Sequence, residues 1–177
     1  MIFDGENCMN IPPLDETDLR RVYGTFPTGV VAVCAQRDGA PVGIAASSFI
    51  PVSLSPPLVA VCVQHTSTTW PLLQDRPRLG LSVLASAHEQ VCRQIAAKTG
   101  DRFAGVDTVT SDGGAVLLAG ALAWLECSLH EAVPAGDHDV ALLHVEAARI
   151  HEDVDPLVFH GSRFHRLFRP SATASAQ

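Results

Sequence analysis

The stretch VVAVCAQRDGAPVGIAASSFI, residues 30–50, decides the fold. Val30 to Ala35 is apolar and rich in β-branched residues, a composition that favours a β-strand. Asp38-Gly39 is a signal for a tight hairpin turn, and Val42 to Ile50 then provides the return strand. These residues predict an antiparallel hairpin.

Strands continue through the rest of the chain. Five further segments predict strands: Leu58–Gln64, Leu79–Leu84, Ala115–Leu129, Asp139–Ile150 and Leu157–Phe159. Three short helices are predicted, with starts at Asp15, at Ser67-Thr-Thr-Trp-Pro71 and at a capping box from Ser86 to Glu89. Pro134 to Asp137 is the predicted turn between two of the strands.

This order of elements predicts a mainly β fold. No strand–helix–strand alternation with a G-x-G-x-x-G motif occurs, which disfavours a doubly wound nucleotide-binding fold. A closed or partly closed antiparallel β-barrel with a few short helices over its ends fits better. We expect one domain at residues 15–168, an N-terminal arm at 1–14 and a disordered tail at 169–177.

Composition excludes several classes of protein. The chain is 47% hydrophobic and 18% charged, which allows a sizeable core. Its net charge is −7 and its basic residues are not clustered, so a nucleic-acid partner is not expected. No signal peptide or apolar segment of membrane-spanning length is visible, so we expect no membrane partner and a cytoplasmic location.

Cysteine and histidine patterns predict neither a disulfide framework nor a metal site. The five cysteines are scattered and form no C-x-x-C pair, and the eight histidines match no ligand spacing. The sequence also contains no G-x-S-x-G nucleophile elbow, no phosphate-binding loop motif and no conspicuous pair of carboxylates. If the chain is an enzyme, we expect its reactive group to belong to a cofactor, with no catalytic side chain.

Three loops have the chemistry to bind an anionic, planar cofactor. Phe26-Pro-Thr-Gly-Val30 offers backbone amides at a corner, and Ala45-Ala-Ser-Ser48 lets backbone approach a flat ligand. Thr66 to Thr69 brings hydroxyls to a helix start, and Lys98 and Arg102 flank Gly100 in a polar loop. Each motif taken singly is also an ordinary turn, strand end, cap or solvated loop, and no spacing rule joins them.

Taken in order, the segments resemble the flavin reductase family that serves two-component flavin monooxygenases. The resemblance covers roughly Leu19 to Leu167 and rests on these segments: Phe26-Pro-Thr-Gly-Val-Val, Gly43-Ile-Ala-Ala-Ser-Ser-Phe49, Val52-Ser-Leu-Ser-Pro-Pro-Leu-Val59, Thr66-Ser-Thr-Thr-Trp70, Asp101-Arg-Phe103, Leu125-Glu-Cys127, Gly136-Asp-His138, Pro156-Leu157 and Arg163-Phe164. It implies a homodimer of split β-barrels of the FMN-binding type, with FMN or FAD as flavin and NADH or NADPH as hydride donor. It also implies delivery of reduced flavin to an oxygenase component.

The resemblance also implies roles for individual residues. The flavin ring and ribityl chain would be lined by Pro27, Thr28, Gly29, Val30, Ala45, Ala46, Ser47, Ser48, Ser82, Val83, Leu84 and Ala85. The phosphate end would be held by Gln64, His65, Thr66, Ser67, Thr68, Arg102 and Phe103. His138 would contact the nicotinamide nucleotide and Phe164 would close the pocket edge. Ala45 and Ser82 stand where the family often has Thr and Asn, which removes polar contacts.

Other interpretations remain open at this point. The same barrel can hold flavin, deazaflavin or haem without turnover. A pyridoxamine-phosphate-oxidase-like enzyme would use FMN on a related architecture, but it would need more cations than this chain offers. A structural subunit without a ligand is the third alternative. The choice between FMN and FAD, and between NADH and NADPH, is not determined by the residues.

Overall fold

The computed structural model describes residue 13 and residues 15–167, so the predicted arm and tail lie outside the described residues apart from Pro13. Antiparallel β-strands are the dominant secondary structure of the described residues, which confirms the predicted fold class. The helices are α1 Glu16–Gly24, α2 Trp70–Leu73 and α3 Glu89–Ile95, with a 3₁₀ turn at Ser86–His88. None of the helices among these residues is long and apolar enough to cross a membrane.

Twelve strands are present in the described residues, numbered in chain order. Their bounds are β1 Thr28–Gly29, β2 Val31–Arg37, β3 Ala40–Ala46, β4 Ile50–Leu54, β5 Pro57–Gln64, β6 Leu79–Val83, β7 Thr108–Thr110, β8 Val116–Leu118, β9 Ala123–Ala135, β10 His138–Ile150, β11 Val158–His160 and β12 Arg163–His165.

A seven-stranded antiparallel sheet forms the body of the fold, in the order β3-β2-β6-β9-β10-β5-β4. Its two edge strands, β3 and β4, are joined by residues 47–49. In that link the Ser48 hydroxyl accepts from Cys62 N–H at 2.9 Å and donates to Cys62 C=O at 3.1 Å. Because Cys62 lies in β5, this contact brings the two ends of the sheet together and the sheet curls. Two smaller sheets, β1-β11-β12 and β7-β8, complete the fold.

Strand β2 separates two hydrophobic clusters. Val31, Val33 and Ala35 lie in the first cluster, inside the curled sheet with Trp70 and Leu73 of α2. The alternate residues Val30, Ala32 and Cys34 lie in the second cluster, with residues of α3, β8 and Leu157. Side chains on a strand alternate between its two faces, so burial of both faces explains why this segment is continuously apolar.

Strand β8 crosses closely over β6. A Cβ atom added to Gly80 would lie 2.1 Å from the Val116 carbonyl oxygen, so only glycine permits this approach. Two residues further along the same face, the Ser82 hydroxyl accepts a hydrogen bond from Leu118 N–H at 2.9 Å. Gly80 and Ser82 together hold β8 against the sheet.

Several predicted elements are confirmed. The β2–β3 hairpin turns at Asp38 and Gly39, whose φ angles of 50° and 82° suit a two-residue hairpin turn. Asp15 caps α1, since its carboxylate accepts from Asp18 N–H at 2.9 Å. Pro71 lies in the first turn of α2 as expected.

Other boundaries differ from the prediction. The return strand ends at Ala46, because Ser48 turns toward Cys62 and a separate strand β4 begins at Ile50. The segment predicted as one strand over residues 115–129 is divided into β8 and β9 at Gly120, whose φ is 77°. Strand β9 continues beyond the predicted end at Leu129 to Ala135. It therefore includes the first two residues of the turn predicted at Pro134 to Asp137.

The expected capping box between Ser86 and Glu89 is wrong. The side chain that reaches back is that of His88, whose Nδ1 accepts from Ala85 N–H at 3.1 Å. Its Nε2 lies 2.9 Å from the Ala119 carbonyl oxygen, so the buried ring is a neutral imidazole with its proton on Nε2. The prediction assigned the backbone amide to the Glu89 carboxylate, but a histidine ring nitrogen can accept the same hydrogen bond.

We predict that Gly80→Ala destabilises the protein, because the new methyl group would collide with the Val116 carbonyl. Overpacking of this kind costs about 1–3 kcal/mol in free energy of unfolding. Urea unfolding followed by circular dichroism measures the change. Gly24→Ala is the matched control, since nothing lies within 4 Å of a Cβ atom there. Equal stability of the two variants would contradict the close crossing of β8 over β6.

Candidate functional site

A cleft of about 770 Å³ opens beside the ends of β3 and β5. The residues that line it are Ile44, Ala45, Ala46, Ser47, Ser48, Cys62, Val63, Gln64, Thr66, Ser67, Thr68, Thr69, Ile95, Ala96, Ala97, Lys98, Arg102 and His138. Its volume is within the usual range of small-molecule and cofactor sites, roughly 300–1,000 Å³.

Beyond Ile44, small side chains form the wall contributed by the end of β3 and the link after it. Ala45 packs toward the second hydrophobic cluster and Ala46 toward the first, and both residues also line the cleft. The Ser48 hydroxyl is bound to β5, which holds the link in place. The small side chains at residues 45–48 leave room for a planar ligand to approach the backbone closely.

The turn between β5 and α2 supplies hydroxyl groups. Ser67 N–H donates to the Gln64 carbonyl at 2.9 Å, and the Ser67 hydroxyl accepts from Trp70 N–H at 3.1 Å. The turn is therefore fixed by its own hydrogen bonds. Thr66 and Thr68 are exposed on it and line the cleft.

A loop after α3 closes the cleft from another side. Arg102 Nη1 donates to the Thr69 hydroxyl at 2.8 Å and lies 3.5 Å from the Gly43 carbonyl oxygen. Phe103 rests on β3 at Gly43, where an added Cβ atom would lie 3.0 Å from the ring and 2.5 Å from Cys34 Sγ. Gln94 of α3 donates to the Ala104 carbonyl at 2.9 Å. These contacts fix the guanidinium at the cleft.

The cleft is cationic although the chain is acidic. Lys98 and Arg102 line it, and none of its lining residues among those the structure describes is acidic. The whole chain carries a net charge of −7, so the absence of carboxylates here is a local departure from its composition. Two cations beside several hydroxyls make an environment suited to phosphate.

Two histidine–aspartate pairs lie beside the β9–β10 turn. His138 Nδ1 is 2.7 Å from Asp137 Oδ1, and His65 Nε2 is 3.0 Å from Asp139 Oδ1. The hydrogen bond from His138 holds the pKa of the exposed Asp137 carboxyl below its ordinary value, with the charge of His138 as the next cause. The pair orients the His138 ring at the edge of the cleft.

Ten of the residues implied by the family resemblance line this cleft. They come from four separate segments: Ala45, Ala46, Ser47, Ser48, Gln64, Thr66, Ser67, Thr68, Arg102 and His138. His65 and Phe103 are next to lining residues, but they do not line the cleft themselves. Lys98, which the sequence analysis noted as a possible partner for phosphate, also lines it.

The remaining implied residues do not line the cleft. They are Pro27, Thr28, Gly29, Val30, Ser82, Val83, Leu84, Ala85 and Phe164. Val30 and Leu84 are buried and joined by a hydrogen bond from Leu84 N–H to the Val30 carbonyl at 2.9 Å. Phe164 contacts Phe159 and lies beneath the Arg93 guanidinium. Ser82 serves the packing of β8. Their role in ligand binding stays a prediction.

Sequence reasoning missed several cleft residues. Ile44, Cys62, Val63 and Ile95 belong to apolar strand or helix patterns that signal only burial. Ala96 and Ala97 follow α3 without any polar signal. Thr69 was noted as part of a hydroxyl-rich helix start, but its contact with Arg102 was not expected, because it depends on a loop that is 33 residues away in sequence.

The four described cysteines are free thiols with contrasting environments. Burial raises the pKa of Cys34 and of Cys127 to about 12, and that of Cys92 to about 11. Cys62 is half-buried and is one of the residues that line the cleft. It is therefore the thiol whose surroundings a ligand in the cleft would change.

Comparison with known proteins gives a consistent result. Residues 23–167 match the family model described as "Flavin reductase like domain". The NADH-dependent FAD reductase of Streptomyces globisporus is 40% identical over 167 residues, which cover 92% of this chain and 91% of that protein. The reductase subunit HsaB of a flavin-dependent monooxygenase of Rhodococcus jostii is 34% identical over 172 residues, which cover 97% of this chain and 88% of that protein.

Solved structures agree with these relatives. The Streptomyces globisporus NADH:FAD oxidoreductase SgcE6, determined in complex with NAD and FAD fragments, superposes with a TM-score of 0.84 at 40% identity. The superposition covers 92% of this chain and 98% of that one.

Proposed function

The chain belongs to the flavin reductase family and is an NAD(P)H-dependent flavin reductase, and we propose that the cleft between β3, β5 and the loop at Arg102 is where it binds its flavin. The observation that carries this proposal is the combination in one cleft of a run of small residues at 45–48 with the two cations Lys98 and Arg102. A flavin nucleotide has the same two parts, a planar ring system and an anionic phosphate tail.

The two ends of the proposed site have different tasks. The backbone of β3 at Ala45 and Ala46, with the serines after it, lies along the flavin ring and its ribityl chain. Lys98 and Arg102 neutralise the phosphate, with hydroxyls of the turn at Thr66–Thr68 nearby. The fit is favourable because the lining offers two cations and hydroxyls that can donate, and the described lining carries no carboxylate that would repel an anion.

The bound flavin supplies the redox chemistry, as the acceptor of a hydride from the nicotinamide nucleotide. The protein's own contribution is to hold the two nucleotides against each other. Positioning of this kind lowers a barrier by roughly 7–11 kcal/mol in favourable cases. The described lining offers no nucleophile flanked by a base, which agrees with a positioning role for these residues. His138, oriented by Asp137, contacts the nicotinamide nucleotide at the cleft edge.

FAD and NADH are the proposed pair of substrates. The relatives at 40% identity are named for these two nucleotides, and the cleft sequence of this chain aligns within the matched region. The reduced flavin passes to an oxygenase component, as the name of the HsaB relative indicates for that protein. A cleft open to solvent is compatible with release of the product.

A second copy of the chain is the proposed structural partner. Edge strand β4 exposes Ile50, Val52 and Leu54, and the Leu54 side chain is 97% exposed. An unpaired edge strand with apolar side chains is a liability in a monomer, and burial against an identical strand would remove it. This supports the homodimer that the family resemblance implies.

We predict that the purified protein consumes NADH in the presence of FAD. The test mixes NADH or NADPH with FMN or FAD in all four pairs and follows the absorbance of the reduced nicotinamide under anaerobic conditions. NADH with FAD is expected to give the highest kcat/KM. Reactions without flavin serve as the control. Absence of consumption with every pair would refute the reductase function.

We further predict that His138→Ala raises the KM for the nicotinamide nucleotide more than the KM for the flavin, since His138 lines the cleft from the start of β10 and not from the small-residue wall at 45–48. Steady-state kinetics with each substrate varied in turn measure the two values. His130→Ala is the matched control, because His130 is exposed on the same hairpin but does not line the cleft. An unchanged nicotinamide KM in His138→Ala would contradict the assigned contact.

A further inference from the structure

A second, smaller cavity of about 320 Å³ adjoins the cleft. Three residues, Thr68, Thr69 and Arg102, line both spaces, so the two are continuous across the Arg102 guanidinium. The others lining the smaller cavity are Pro41, Val42, Gly43, Leu72, Gly100, Asp101 and Phe103. None of these seven belongs to the lining of the larger cleft.

The walls of the smaller cavity differ from those of the cleft. Val42 and Leu72 provide aliphatic surface, and the half-buried Phe103 provides an aromatic ring. Asp101 provides the carboxylate. One of its oxygens accepts from Phe103 N–H at 2.9 Å, and a carboxylate has further lone pairs for donors on a ligand. Apolar surface beside an acceptor matches a purine nucleoside, which has a flat ring and hydroxyl donors on its ribose.

Size distinguishes the two spaces. About 320 Å³ is at the lower end of the range for ligand sites, enough for one nucleoside but not for a whole dinucleotide. The Arg102 side chain between the spaces is held by Thr69, so its charge stays at the junction. A guanidinium at that point suits a diphosphate that joins a group in the cleft to a nucleoside in the smaller cavity.

We propose that the smaller cavity binds the adenosine of FAD, so that this enzyme selects FAD over FMN. The proposal rests on the proposed function, because it places the flavin phosphate at the Lys98 and Arg102 end of the cleft. From there a second phosphate passes Arg102, and the adenosine lies between Leu72 and Phe103 with its ribose toward Asp101. FMN would leave the smaller cavity empty.

Adenosine is also part of NADH, so the experiment must distinguish two sources. Leu72→Trp fills the cavity from α2 without touching the cleft. We expect its KM for FAD to rise about tenfold, a change of the order of one lost base-stacking contact. The kinetics with FMN, and the KM for NADH measured with FMN as acceptor, are expected to stay unchanged.

Gln74→Trp is the matched control. Gln74 follows α2, is exposed and lines neither space, so the same bulk should leave every constant as in the unaltered protein. An equal effect of Leu72→Trp on FAD and FMN, or no effect on either, overturns the proposal. A rise in the NADH constant with FMN as acceptor would assign the cavity to NADH and overturn its assignment to FAD. If the unaltered enzyme reduces FMN, the reductase function holds whatever the variants show. The outcomes named above then overturn only the assignment of the smaller cavity.

A second measurement uses the unaltered protein and does not depend on the variant folding. Free adenosine, added as the probe, is expected to raise the KM for FAD while the KM for FMN stays constant at the same NADH concentration. Equal inhibition of both flavins, or of neither at millimolar adenosine, overturns the proposal.

Discussion

Burial of strand β2 on both of its faces is the constraint on which the rest of the structure depends. One face closes the core of the curled sheet, and the other carries α3, β8 and Leu157. The neighbouring strand β3 is thereby placed between the two clusters, with Ala46 toward one and Ala45 toward the other. The cleft forms where β3 ends at this boundary, so the position of its small-residue wall follows from the way the core is divided.

Gly43 determines where the cationic loop of the site packs against the core. Because Gly43 has no side chain, Phe103 can rest on β3, and the preceding residue Arg102 then reaches Thr69. An acidic chain repels anions in general, but here a fixed cation and the nearby Lys98 face a lining without carboxylates among the described residues. Binding of an anionic nucleotide by this chain is therefore a local property of one loop packed on one strand.

The sequence predicted the elements that depend on local signals. The β2–β3 hairpin and the Asp15 cap are examples, since turn and capping chemistry are determined by neighbouring residues. The break after Ala46 was missed because it depends on a hydrogen bond from Ser48 to a strand that follows later in the chain. The contact of Arg102 with Thr69 was missed for the same reason. The family resemblance named polar lining residues such as Gln64, Arg102 and His138. Apolar lining residues such as Val63 could not be predicted, because in the sequence they indicate only a buried strand.

Alkylation of Cys62 with and without flavin tests the central claim most directly, because Cys62 is the one described cysteine that lines the cleft. The readout is iodoacetamide labelling of the native protein at pH 8, resolved by peptide mass spectrometry. Cys34 and Cys127 are internal controls, since burial raises the pKa of each to about 12 and keeps them as unreactive thiols. Binding of flavin in the cleft predicts that saturating FAD slows the labelling of Cys62 severalfold. An unchanged labelling rate of Cys62 at a flavin concentration that saturates turnover would contradict the account.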